Sequence, residues 1–128
     1  MSMDDHAELL NVWDDYRNGI YEGDAEKLSE IFHPAASMFF VNDGAVVVTP
    51  IAKYIDIVHN RVAPKKSDAK RDERLVSLAV PSVDSATLTA TILIMGKSFT
   101  DQLVMMKNDG KWRIVAKTYH LDSESQSA

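Results

Sequence analysis

At 128 residues, with a net charge of −5, no cysteine and an ordinary hydrophobic share of 45%, the chain suits one soluble globular domain able to bury a core. The missing cysteines exclude a disulfide framework and thiolate chemistry, and the scattered basic residues, clustered only at Lys65-Lys66 and Lys70-Arg71, exclude a nucleic-acid-binding face. The acidic opening MSMDDHAELL lacks the pattern of a secretory leader, and no apolar run is long enough to span a bilayer, so a cytoplasmic setting without membrane association is expected.

Leu9, Trp13, Tyr16 and Ile20 recur at helical spacing and predict a first helix ending near Tyr21, with Asp4 or Asp5 as its cap and Gly19 and Gly23 weakening its end. Asp24 opens a second short helix carrying Leu28, Ile31 and Phe32 on one side, which Pro34 stops by disfavouring helical geometry at His33. Ser37–Val41 and Ala45–Thr49 flank Asn42-Asp43-Gly44, a hairpin signal. Ile51, Tyr54, Ile55 and Val58 then mark a third helix, capped by Thr49 and ending near Arg61. A charged loop spans Ala63 to Asp72.

The remainder alternates in the manner of strands, with four antiparallel runs expected over Arg74–Val80, Ala86–Met95, Ser98–Lys107 and Lys111–His120. Val104, Met106, Val115 and Tyr119, beside Arg113 and Lys117, fall on the outward face by simple alternation. That mixed face is expected to pair two copies into a homodimer. The domain is expected over residues 1–122, and the polar residues 123–128 form a tail expected to be disordered.

The order helix, helix, hairpin, helix, four strands resembles the NTF2-like superfamily, an α+β cone-shaped barrel in which three helices from the N-terminal half pack on a curved, mostly antiparallel sheet. Gly23-Asp24…Leu28…Phe32-His33-Pro34-Ala35-Ala36 is similar to the helix-to-strand signature of its SnoaL-like and lumazine-binding-like branches. Phe99-Thr100-Asp101…Leu103…Lys107-Asn108-Asp109-Gly110-Lys111-Trp112-Arg113-Ile114-Val115…Lys117…His120 is similar to the terminal hairpin of the lumazine-binding-like branch. Such a fold implies a conical cavity but no single activity, since the superfamily holds both enzymes and binding modules.

Asp101 shares a strand face with Phe99, Leu103 and Met105, which aims its carboxyl into an apolar interior. The resemblance implies an oxyanion-hole role, because ketosteroid isomerases of this superfamily keep a protonated aspartate at that strand position. It also places Tyr16, seven residues before Gly23, where those isomerases carry their second oxyanion donor. The packing alternatives are a hydrogen bond from Asp101 to a neighbouring strand, the first helix or a buried water, and a place in the apolar helix stripe for Tyr16. Phe40 stands where the isomerases have their general-base aspartate, and a phenyl ring accepts no proton, which argues against isomerase turnover.

His120 follows the alternation of Trp112, Ile114, Ala116 and Thr118 and so is expected to face the cavity, as the acid–base partner of Asp101. His33 precedes Pro34 at a helix terminus and is either a second pocket histidine or a partner of local backbone groups. The catalytic candidates are therefore Asp101, Tyr16 and His120. The expected pocket adds His33, Phe40, Tyr54, Phe99, Leu103, Trp112 and Ile114. The histidines lack zinc-ligand spacing and no phosphate-binding or nucleophile-elbow motif is present, so no metal and no cofactor are expected. Three functions fit: a binder of an aromatic or polycyclic small molecule; a cofactor-independent SnoaL-like lyase, isomerase or cyclase using Asp101 with Tyr16 or His120; or a non-catalytic dimeric interaction module.

Overall fold

A computed structural model describes residues 3–124. Helix α1 (Met3–Glu22) and the short α2 (Ala25–Ile31) lead into strands β1 (Phe32–Asn42) and β2 (Ala45–Pro50). Helix α3 (Ile51–Asn60) and a 3-10 turn (Pro64–Ser67) precede β3 (Glu73–Ser82), β4 (Ser85–Ile94), β5 (Lys97–Asn108) and β6 (Lys111–Glu124). The six strands form one curved sheet in the order β2-β1-β6-β5-β4-β3, antiparallel throughout except for the parallel pair β1 and β6.

The core lies between helices and sheet. The α1 stripe of Leu9, Val12, Trp13, Tyr16 and Ile20 is buried against Leu88 and Ala90 of β4, Leu103 and Met105 of β5, and Trp112 and Ile114 of β6 within one apolar cluster. Strand β4 alternates from Ser85 to Leu93 between half-buried and buried side chains, the pattern of a sheet with one face on the core. Asp43-Gly44 and Asp109-Gly110 both adopt positive φ, the two-residue turn geometry that matches strand twist and that Asp and Gly tolerate.

Several boundaries differ from the sequence reading. Asp4 and Asp5 lie inside the first turn of α1 and do not precede it. Helix α2 does begin at Asp24, whose carboxylate accepts from Lys27 N at 3.0 Å, but it stops before Phe32, which is extended and pairs with Ile114 of β6. Thr49 does not cap α3, because it is held in β2 opposite Met38 and leaves Pro50 at the cap position. Strand β6 continues through Glu124, so residues 123 and 124 of the expected tail belong to the sheet, and residues 125–128 of that expectation lie outside the described residues.

The largest departure is a bulge in β6. Val104 pairs with Ala116 but Met105 pairs with Ile114, leaving Val115 without an opposite residue. One extra residue reverses the side-chain alternation beyond it. Trp112 and Ile114 face inward before the bulge, Lys117 and Tyr119 turn inward after it, and Thr118 and His120 are exposed. Lys117 and Tyr119 are therefore not outward residues, and His120 does not face the cavity.

Candidate functional site

Three elements converge on one carboxylate. The 3.6-residue period of α1 points Tyr16 at the sheet, where it is fully buried and donates its hydroxyl to Asp101 Oδ2 at 2.5 Å. The alternation of β5 sets Asp101, 1% exposed, between Phe99 and Leu103 on the inner face. The β6 bulge delivers Lys117, whose Nζ lies 3.7 Å from the same Oδ2. That separation makes an ion pair but exceeds hydrogen-bond range, so the ammonium donors are not committed to Asp101. Lys117 Nζ also lies 5.2 Å from the Tyr16 ring and 5.1 Å from each of the Tyr54 and Tyr119 rings, distances at which the ring faces attract a cation.

Burial pushes the Tyr16 hydroxyl well above its usual range, and the negative charge of Asp101 pushes in the same direction. Tyr16 is thus held as a neutral donor. Burial also raises Tyr119, with Lys117 opposing the rise. Replacing a buried ion pair with apolar groups is often neutral or stabilising, so Asp101 and Lys117 are poor candidates for a device that serves stability alone.

Next to the pair opens a cavity of about 210 Å³. Tyr54, Ile57 and Arg61 of the α3 region form one wall and Ile94, Phe99, Asp101, Lys117 and Tyr119 of the sheet form the other, with Met38 and Thr49 of β1 and β2 completing it. The volume falls below the roughly 300–1,000 Å³ of drug-sized sites, which suits a one- or two-ring ligand and disfavours the polycyclic one expected from the sequence. Apolar walls with a small number of converging polar groups can orient a carbonyl or oxyanion. Asp101 can accept a proton, and Lys117 and Tyr16 can donate hydrogen bonds to developing negative charge.

Of the residues singled out in the sequence, Tyr54, Phe99 and Asp101 line this cavity, and Tyr16 backs it through Asp101. Phe40 is set behind, stacked on Tyr119 at 5.0 Å between ring centroids. Leu103, Trp112 and Ile114 are at most 1% exposed in the packed core and are absent from the cavity wall, because α1 fills the space over them. Trp112 is further fixed by Nε1 donating to Asp5 Oδ1 at 3.1 Å and its backbone N–H donating to Glu8 Oε2 at 2.7 Å. His33 lies at the surface, its Nδ1 accepting from Ala35 N at 3.0 Å, a local backbone bond. His120, with a side chain 80% exposed, sits 3.8 Å from Asp122 and lines an adjoining pocket of about 330 Å³ with Phe40, Phe99 and Tyr119.

The sequence reading missed Lys117, Arg61 and Tyr119. The unbroken apolar run Ile114-Val115-Ala116 was the available sign that alternation could change phase there. Arg61 was legible as the continuation of the stripe Tyr54, Val58 at helical spacing. Among the described residues, no group of three or more histidine, aspartate or glutamate side chains comes together to hold a metal ion, and no helix is long and apolar enough to cross a membrane.

The profile of the family described as "Putative lumazine-binding" matches residues 4–120. An aldolase, FrzH from Cladobotryum sp, is 27% identical over 105 residues, 82% of this chain and 82% of that protein. Among solved structures, an NTF2-like protein of unknown function from Shewanella baltica OS155 superposes with a TM-score of 0.85 at 22% identity, covering 97% of this chain and 98% of that one. Another, from Methylobacillus flagellatus KT, gives 0.82 at 25% identity and covers 96% of each. The architecture is therefore the NTF2-like α+β cone.

Proposed function

The chain belongs to this lumazine-binding family, and we propose on that footing that its cavity binds a small cyclic carbonyl compound. The observation that carries the proposal is the convergence of Tyr16, Asp101 and Lys117 at the wall of an open apolar cavity sized for one or two rings. A ring slides between Tyr54, Phe99 and Tyr119, and its carbonyl oxygen takes a hydrogen bond from Lys117. Lumazine itself, a fluorescent bicyclic dione, is the probe. Titration should give saturable quenching in the wild type, weakened about tenfold in Lys117→Met, the weight of one charge-assisted hydrogen bond. Quenching that never saturates would sink the reading.

A second reading, cofactor-independent lyase chemistry of the aldol type, is favoured by the likeness to an aldolase together with the Asp101–Lys117 pair. Asp101 takes a proton from the carbon next to the carbonyl, and Lys117 holds the resulting enolate oxygen. The enolate carbon adds to a second carbonyl carbon, a carbon–carbon bond forms, and the new alkoxide recovers the proton from Asp101. In this scheme Asp101 serves as the base that Phe40 cannot be, and His120 has no part. Proton NMR of cyclohexanone in D2O gives the test: the wild type should accelerate exchange of the protons beside the carbonyl, and Asp101→Asn should abolish the acceleration. Exchange no faster than in buffer alone rules this chemistry out for simple ketones.

Homodimerisation and a cytoplasmic setting complete the proposal. With Lys117 and Tyr119 turned inward, the outer sheet face retains Val104 and Val115, half-buried, and Met106, 43% exposed, and β1 and β2 add Val41, Val46 and Val48, each more than half exposed. A monomer mass by light scattering at micromolar concentration would count against pairing through it.

A further inference from the structure

Arg61 ends α3, its backbone N–H bonded to Ile57 O at 3.0 Å, and its side chain turns into the cavity wall beside Tyr54. Its guanidinium carbon lies 6.0 Å from the Tyr54 ring centroid. Arg17, Arg71 and Arg74 each face a carboxylate of Asp14, Glu73 or Asp72, whereas Arg61 makes no ion pair among the described residues. Its Nη2 is the one buried side-chain nitrogen or oxygen among the described residues that has no hydrogen-bond partner. A buried donor left without an acceptor is unfavourable, and native proteins rarely keep one without a use for it.

The charges of the cavity agree with that observation. Its wall carries two cations, Lys117 and Arg61, against the single carboxylate of Asp101, in a chain whose net charge is −5. Lys117 has Asp101 beside it, and Arg61 is the cation left over. A guanidinium presents paired N–H groups in a plane that matches the two oxygens of a carboxylate.

We propose that Arg61 is an anion-recognition residue and that the ligand of this cavity carries a carboxylate. This rests on the cavity-binding reading above and deepens it: the molecule is a small ring compound with a carboxylate held by Arg61 at one end and a carbonyl facing Lys117 and Asp101 at the other. A neutral ring compound of the same shape offers the Arg61 guanidinium no charged acceptor and binds more weakly.

Phenylacetate and phenylacetamide, nearly identical in shape and different in charge, test the assignment by NMR titration followed at cavity resonances. The wild type should bind phenylacetate about tenfold more tightly, the effect of one charge-assisted hydrogen bond. Arg61→Gln should bring the two affinities close together, while Lys117→Met should keep most of the preference. A circular dichroism melt confirms that each variant is folded. Equal binding of the two compounds by the wild type, or an undiminished preference in Arg61→Gln, overturns the role of Arg61 and leaves the cavity reading standing. Failure of both compounds to bind overturns the cavity reading and this inference with it.

Discussion

Two clusters of the same composition stand at different places along helix α1. At one, Asp5 accepts from Trp112 Nε1 at 3.1 Å and from Lys107 Nζ at 2.9 Å. At the other, Asp101 accepts from Tyr16 at 2.5 Å and has Lys117 Nζ at 3.7 Å. Each joins a carboxylate, a lysine and an aromatic donor. The first is anchored in the packed core by Trp112, its lysine reaching solvent, and it ties the β5–β6 hairpin to the helix. The second has its lysine 5% exposed and held away from hydrogen-bond range at a cavity wall. The difference teaches that residue composition does not separate a structural staple from a reactive site. What separates them is whether the donors are already satisfied and whether a ligand can reach them.

The largest effect expected from breaking this comparison falls on the packed end. Trp112→Ala removes a core side chain and the donor to Asp5, and should cost about 3–5 kcal/mol of stability in urea denaturation. A loss below about 1 kcal/mol would mean that the Trp112 site collapses around the missing ring.

A smaller loss is expected at the open end. Asp101→Leu leaves Lys117 without its carboxylate and should cost about 2 kcal/mol, less than the roughly 3–5 kcal/mol of a sealed pair, because cavity water can reach the ammonium. Adding Lys117→Met to that variant should restore most of the stability while leaving ligand binding abolished. Failure of the second substitution to restore stability would show that the pair is a staple after all, and the contrast would dissolve.

The smallest effect sharpens the comparison through pH. The fold raises the Tyr16 pKa above its ordinary 10.0, so the neutral phenol is the form that the folded protein favours. The stability contributed by that preference is complete below pH 10 and declines as the pH rises from there through the folded pKa. Tyr16→Phe should cost about 1 kcal/mol at neutral pH for the lost hydrogen bond. It should also flatten the fall in the urea midpoint between about pH 9 and 11 relative to the wild type. Parallel curves for the two proteins would mean that Tyr16 does not hold its proton against alkali.

Much of the fold was legible in the sequence because its signals are local. The α1 stripe, the Asp24 cap, the end of α3 at Arg61 and the Asp-Gly turns each depend on a handful of neighbouring residues, and each appears in the structure. Asp101 was legible as an inward carboxyl because β5 keeps its alternation from Phe99 to Met105. Lys117 was not legible, since its direction depends on one unpaired residue in β6, and His120 was assigned to the wrong face by the same error of phase. The second end of α2 failed for another reason: Pro34 marked where helical geometry had to stop, but pairing of Phe32 with β6 stopped it earlier.

The unpaired Val115 makes the cavity's chemistry a matter of parity. Deleting that residue would close the bulge and leave Lys117 and Tyr119 facing inward, whereas pairing it in an unbulged strand would put Thr118 and His120 on the inner face in their place. A cationic, aromatic wall would become a hydroxyl-and-imidazole wall with no side chain substituted. A strand of unchanged length can therefore change the reagents it offers a ligand by forming or losing one bulge, a route to new specificity that a comparison of residue types alone would overlook.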